Sequence, residues 1–274
     1  MISTSDIVKL RALTNAGLMD CKNALIEANG DIEKAIEIIR KRGKAIALKR
    51  ADKLTKEGRV IASTSADKKF GFIIAVGCET DFVAKNNEFI NLTNIISNLI
   101  LENKPDSLEA IKNLTYNNIP VSELINEKIA IIGEKIDIVA YYFLNAEYVQ
   151  NYVHFDNKIG VIVGFNKEPS DEQVTKNIAM QIAAMNPISI DENDVPQDIL
   201  QKELEIAKEQ ALQENKPQHL IESIAQGKLK KFLAEATLLN QQFIINNKIT
   251  VKQYLQNSDK DLKITKFYRC AISD

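Results

Sequence analysis

An α+β fold is predicted for this chain of 274 residues, and three observations predict it. Apolar residues recur at helical spacing through the first forty or so positions. The pattern then switches to short continuous apolar runs bounded by polar turns, and it returns to helical spacing at about 196–239. A hairpin followed by a helix occurs twice, which predicts two related α+β subdomains with antiparallel sheets. At 45% apolar residues, the chain can bury the cores of two or three domains.

The opening stretch predicts three short helices. Ser3, Thr4 or Ser5 can cap a helix carrying Ile7, Leu10 and Leu13, which ends near Thr14-Asn15-Ala16-Gly17. A second helix spans Leu18 to Ala28. Asn29-Gly30-Asp31 breaks and recaps the chain, and Ile32, Ala35, Ile36 and Ile39 repeat at helical spacing up to Arg42-Gly43. Residues 1–43 are therefore expected to form a compact three-helix module.

From Arg40 to Lys56 stand eight basic residues (Arg40, Lys41, Arg42, Lys44, Lys49, Arg50, Lys53 and Lys56) against one acid, Asp52. A phosphate-binding strip is one reading. Cations at a helix C-terminus leading into a solvated helical linker, 44–58, is the reading preferred, since no aromatic residue interleaves the run.

Strands follow. Arg59 to Ser63, a turn at Ala66-Asp67-Lys68-Lys69, and Phe70 to Gly77 predict a hairpin, and Asn87 to Leu101 a helix. Ser122 to Ile132 predicts a helix before Gly133-Glu134, and Ile136 to Phe143 a strand extending the first sheet. The second copy has strands at Glu147 to Phe155 and Ile159 to Phe165, a turn at Asp156-Asn157-Lys158, and a helix at Asp171 to Met185. Lys69-Phe70-Gly71 through Val76 matches Lys158-Ile159-Gly160 through Val163. Gln197 to Gln213 and His219 to Leu239, broken at Asn215-Lys216-Pro217, predict a protruding helical hairpin. Its seam would be Leu200, Leu204, Ala207 and Ala211 against Leu220, Ile224 and Phe232. The expected cores are an N-subdomain at 59–144 and a C-subdomain at 145–274.

Several classes of chemistry are not expected. Lys plus Arg (35) nearly balances Asp plus Glu (37), so no global positive field gathers nucleic acid. The longest apolar runs fall far short of the roughly 20 residues that span a bilayer, so no membrane partner is expected. Met1 to Asp6 shows no export signal or transit segment, and a cytoplasmic location is expected. Cys21, Cys78 and Cys270 are scattered, with only His154 and His219 beside them, so neither a metal site nor a disulfide is expected. Phosphate-loop, dinucleotide, zinc-protease and nucleophile-elbow motifs are absent, which predicts no cofactor and no covalent catalysis.

The chemically dense stretch is Cys78-Glu79-Thr80-Asp81-Phe82-Val83-Ala84-Lys85-Asn86, at the exit of a buried strand. Its residues alone read first as a helix start, with Thr80 or Asp81 capping, Asp81 answering the helix dipole, and Phe82 stapling the turn to the core.

Ordered motifs across nearly the whole chain resemble the bacterial translation elongation factor Ts family. They are Leu10-Arg11 with Thr14 through Lys22; Ala28 through Ala35; Cys78 through Asn86; Ile132-Gly133-Glu134; Tyr152-Val153-His154 with Lys158-Ile159-Gly160-Val161; Ile178-Ala179-Met180 with Ala183-Ala184; and Gly227 through Phe232. The resemblance implies a guanine-nucleotide exchange factor for elongation factor Tu, bound in GDP-loaded and nucleotide-free states. The alternative is a module that holds elongation factor Tu without catalysing exchange. It implies that the opening module is similar to ubiquitin-associated domains, with Leu18 and Met19 near the partner's GTPase domain. Thr80, Asp81, Phe82 and Val83 would intrude beside the partner's Mg²⁺, Phe82 as a wedge and Asp81 by charge or hydrogen bonding. Ile132 and His154 would touch the GTPase domain as well, and the hairpin would match the family's coiled coil.

The chain departs from the family pattern in places. Asn15 replaces a common glycine, Ala75 and Gly77 stand where Glu and Asn are usual, Gln181 where many members have His, and Gln242 where Pro is usual. After Phe267-Tyr268-Arg269 the usual Val-Gly-Glu-Gly becomes Cys270-Ala271-Ile272-Ser273-Asp274. An anchoring C-terminal helix, present in some members, is therefore not expected.

Overall fold

A computed structural model of the chain describes residues 2–14 and 16–272, so the departures at Asn15, Ser273 and Asp274 lie outside the described residues. The first three helices are α1 (Thr4–Thr14), α2 (Leu18–Glu27) and α3 (Ile32–Lys49). Ser3 caps α1: its hydroxyl accepts from the Asp6 amide at 3.1 Å, and the Asp6 carboxylate accepts from the Ser3 amide at 3.3 Å. Asp31 caps α3 by accepting from the Lys34 amide at 3.1 Å. Leu10, Cys21, Ala24, Leu25, Ala35 and Ile39 close a small core between the three helices.

The third helix corrects the expected stop at Gly43. It continues to Lys49 and packs along a later helix, α7, with Gly43 lying close against that helix. A methyl group there would stand 2.9 Å from the Asn126 carbonyl oxygen and 3.1 Å from the Ala130 Cβ. The basic run stays largely exposed, as a solvated linker should be, with Lys41, Lys44, Lys49, Lys53 and Lys56 at the surface, but several of its cations are paired. Arg40 pairs with Glu127 at 3.0 Å, Lys44 with Glu123 at 3.0 Å, Arg42 with Glu27 at 2.8 Å, and Arg50 with Glu79 at 2.7 Å. Four of the eight cations are thus engaged by carboxylates of the same chain.

Next come β1 (Glu57–Thr64), β2 (Phe70–Cys78), the single turn α4 (Asp81–Ala84) and α5 (Asn87–Asn103). The short elements α6 (Leu108–Asn113), β3 (Thr115–Tyr116) and β4 (Ile119–Pro120) lead into α7 (Val121–Ile132) and β5 (Ile136–Asn145). The second half contains β6 (Tyr148–Val153), β7 (Ile159–Phe165), α8 (Glu172–Met185), α9 (Gln197–Gln213), α10 (Ile221–Ala236), β8 (Gln242–Phe243), β9 (Asn246–Thr250), α11 (Val251–Ser258) and β10 (Ile264–Ala271). Gly133, in the left-handed region at φ 81°, ends α7.

Two antiparallel three-stranded sheets form the body, in the orders β1-β2-β5 and β10-β7-β6. As expected, β5 extends the first sheet. Alternation along β2 sends Phe70, Phe72, Ile74, Val76 and Cys78 into a core shared with α5 and α7, and sends Ile73 and Ala75 to the opposite face. Along β7, Val161, Val163 and Phe165 face a second core with α8 and α11, while Ile162 faces back. The two back faces meet in a third core containing Val60, Ile73, Val149 and Ile162. The paired glycines of the repeat mark this contact, since a Cβ on Gly71 or Gly160 would lie 2.5 Å from a valine methyl on the facing sheet. Both sheets are covered on both faces, which is why their middle strands are continuous apolar runs.

Helices α9 and α10 pack mainly on each other. Their seam is drawn from small residues, with Ala207, Ala211 and Ala225 buried, whereas Leu220 at the far end is exposed. The second arm stops at Ala236 rather than Leu239, because Leu238 and Leu239 donate their amides to the Ser189 and Ile190 carbonyls. Among the described residues no helix is long and apolar enough to cross a membrane.

Candidate functional site

The candidate site is the turn that follows β2. Cys78 ends the strand with a buried thiol that donates to the Thr80 carbonyl at 3.2 Å. Burial, with the nearby charges of Glu134 and Glu57, pushes its pKa up to about 12, so the thiol stays protonated and is no nucleophile. Thr80 caps the single turn α4, its hydroxyl facing the Val83 amide at 3.5 Å. A helix of one turn is not stable by itself. Val83, 8% exposed, ties this one to the core.

Phe82 does not staple the turn to the core. It is 82% exposed, and Val83 performs the anchoring instead. Asp81 stands beside it, half-exposed and paired with Lys85 at 2.8 Å. The hydrogen bond from Lys85 is the main cause holding the Asp81 carboxyl below its ordinary pKa. The negative charge of Asp81 is thus partly answered within its own turn.

Below Phe82 the chain is fastened by two carboxylates. Glu134 accepts from the Thr80 amide at 3.0 Å and from the Thr80 hydroxyl at 2.8 Å. Glu79 accepts from Arg50 at 2.7 and 3.0 Å and from the Lys135 amide at 2.6 Å. Burial opposes ionisation of Glu79, but the Lys135 amide and Arg50 outweigh it and leave its pKa below the ordinary value. Lys135 in turn donates to the Ala51 and Lys53 carbonyls at 2.6 and 3.0 Å. The end of α3, the turn after β2 and the turn before β5 therefore meet in one polar joint.

Of the residues singled out in the sequence, Thr80 to Val83 and Ile132 are brought together by this joint, with Ile132 partly buried against the first core. His154 belongs to the β6–β7 turn. Its Nδ1 lies 3.1 Å from the Tyr152 hydroxyl, and its ring packs on Phe155 at 4.5 Å between centroids. That turn and α4 share one cleft of about 530 Å³, lined by Asp81 and Lys85 on one side and by Asp156 and Lys158 on the other. Leu18 and Met19 lie elsewhere, exposed at the start of α2 and outside the module's core. Sequence reasoning missed Arg50, Glu79, Glu134 and Lys135 as a fastening, and it missed Phe155, which is 88% exposed. Among the described residues no group of three or more His, Cys, Asp or Glu is placed to hold a metal ion. What the site presents is an exposed aromatic side chain beside a half-exposed carboxylate, on a turn fastened from below.

Comparison with known proteins identifies what this arrangement is similar to. A family model described as Elongation factor TS matches residues 79–274, beginning at the first residue of the turn. A protein of Amoebophilus asiaticus named Elongation factor Ts is 46% identical over 273 aligned positions, covering 99% of each chain. The Elongation factor Ts of Azobacteroides pseudotrichonymphae is 44% identical, covering 99% of this chain and 98% of its own. That of Aquifex aeolicus is also 44% identical, covering 98% of this chain and 97% of its own.

Proposed function

This chain belongs to the elongation factor Ts family, and on that premise we propose that it is a guanine-nucleotide exchange factor for elongation factor Tu, acting in the cytoplasm without covalent chemistry. The observation that carries the reading is Phe82, a large apolar side chain left 82% exposed on a turn whose neighbouring residues are anchored. Burying such a side chain in a partner contributes about 1.5–3 kcal/mol. That energy can be spent on displacing the partner's own packing.

In the proposed mechanism Phe82 wedges between elements of the GTPase beside its Mg²⁺ and phosphate site, and Asp81 adds negative potential there. Mg²⁺ bridges the nucleotide's phosphates to the GTPase, so disturbing its surroundings weakens the largest local charge holding GDP. Asp81 must exchange Lys85 for a partner group to act fully. Ile132 and His154 flank the wedge, while Leu18 and Met19 on the 1–43 module make a separate contact. Coupling is reciprocal: whatever factor the chain removes from GDP affinity, GDP removes from the affinity of the chain.

The test is release of fluorescent GDP from elongation factor Tu. The chain is expected to accelerate release, and Asp81→Ala with Phe82→Ala to reduce the acceleration by about 10–100-fold, matching the burial energy of the wedge. Tight binding without acceleration would replace exchange by a holding role. An unchanged rate in the double variant would remove the wedge from the mechanism.

A further inference from the structure

The wedge has an unusual mechanical problem, and its solution is on the far side of the turn. Phe82 touches little, and α4 has too few residues to hold its own direction. The direction in which Phe82 points must come from what fastens residues 79, 80 and 83. Val83 sets the depth by burial, which is non-directional. The hydrogen bonds to Glu79 and Glu134 are directional. Glu134 receives both polar hydrogens of Thr80, the capping residue of the turn, and follows directly on the turn that ends α7 at Ile132 and Gly133. Glu79 receives the Lys135 amide, so the two strands of chain cross-bond in both directions.

We propose that Glu134 is a positioning residue for nucleotide exchange, assisted by Glu79: it locks the turn bearing Asp81 and Phe82 to the turn bearing Ile132, so that the three side chains reach the GTPase as one rigid surface. This rests on the exchange reading above. A wedge that is already ordered spends its burial energy on the partner, whereas a loose one loses part of it in becoming ordered. Arg50 extends the lock to the end of α3, the long helix of the N-terminal module.

The experiment is fluorescent GDP release from elongation factor Tu, followed across a range of concentrations of full-length chain. Glu134→Ala is expected to lower the maximal rate about tenfold, equivalent to about 1.4 kcal/mol, while moving the half-saturating concentration less than about threefold. Glu134→Gln should keep at least half the rate, because its amide oxygen can accept from the Thr80 amide and its NH₂ can donate to the Thr80 hydroxyl. In a Phe82→Ala background Glu134→Ala should cost no more than about threefold, well below its cost in the unmodified chain, since the largest of the three positioned side chains is gone and only Asp81 and Ile132 remain. Losses that multiply in the double variant, or Glu134→Gln as weak as Glu134→Ala, would reduce Glu134 to an ordinary structural residue and overturn the proposal. An unchanged maximal rate in Glu134→Ala would overturn it as well.

Hydrogen exchange of the Val83 to Lys85 amides gives an arm independent of the partner. It should quicken about tenfold in Glu134→Ala, and unchanged protection overturns the lock. If Phe82→Ala alone leaves release unaffected, the wedge reading fails by itself, and this arm then decides whether the lock exists. Thr80→Val, which removes the hydroxyl from the other side of the bond, should reproduce the loss if Glu134→Ala folds poorly. A Thr80→Val rate equal to the unmodified chain's would count against the lock.

Discussion

The two sheets are built alike and equipped differently. In each, a hairpin supplies the edge and middle strands, and a strand from much later in the chain pairs on the other side of the middle one. In each, the connection leaving the middle strand is bonded to the residues just before that late strand. In the first sheet Glu79 and Thr80 meet Glu134 and Lys135. In the second, the Asn166 side chain bonds the Asp261 carbonyl at 3.0 Å and the Lys263 amide at 2.7 Å, and Lys167 and Ser170 hold Asp259 at 2.8 and 2.9 Å. The joint belongs to the fold, since it closes a polar gap at the end of a buried strand wherever the topology creates one. What differs is its load. The first joint carries Asp81 and Phe82; the second carries Asn166 through Asp171, with no aromatic residue among them.

Aromatic residues offer the widest separation between the two halves. Phe165, fully buried in the second core, should cost about 3–5 kcal/mol when replaced by alanine, measured by urea denaturation. Phe82→Ala should change stability by no more than about 0.5 kcal/mol, since the side chain is largely in water already, while removing most of the exchange activity. Equal stability losses would mean that Phe82 packs in solution, and the contrast between framework and load would fail at its clearest point.

The joints themselves give a smaller and sharper contrast. Asp259→Ala is expected to lower Tm yet leave the maximal GDP-release rate within about twofold, whereas Glu134→Ala should shift the rate more than the stability. A matched loss of rate in Asp259→Ala would show that stiffness of the whole body, rather than of one turn, governs exchange.

Much of this fold was legible because short-range rules set it. The hairpins at Phe70 and Ile159 follow from apolar runs and polar turns, and the boundaries Gln197–Gln213 and Ile159–Phe165 agree with the sequence reading. Gly43 misled because a glycine in a basic run reads as a helix end; only its contacts with Asn126 and Ala130 of α7, far along the chain, show that it is a packing contact. The capping box of α11, Thr250 with Gln253, was present as a local signal and went unread. The positions of Asp81 and Phe82 came from resemblance to a family, since their residue types alone favoured a core staple that the exposure of Phe82 excludes. The joint beneath them was not legible at all. Its partners stand 54 and 56 positions apart, and nothing in Gly133-Glu134-Lys135 names the residues it will hold.

Acid should act on both joints in the same direction, with the effect easiest to isolate in the second. Asp259 has its pKa held down to about 2, chiefly by the hydrogen bond from Lys167, against an ordinary value of 3.8. As pH falls through 3.8 the unfolded chain takes up the proton first, so the contribution of Asp259 is fully present above that value and disappears as pH approaches 2. The stability gap between the unmodified chain and Asp259→Asn should therefore be widest near neutral pH and close between about pH 4 and 2 in chemical denaturation. A gap that persists at the acid end would assign the second joint to its neutral bonds, those of Asn166 to Asp261 and Lys263, and not to its ion pair. Glu79, also held below its ordinary pKa, makes the first joint subject to the same argument. There, however, Glu79 helps to carry the wedge, and loss of its ionisation would loosen the load along with the frame.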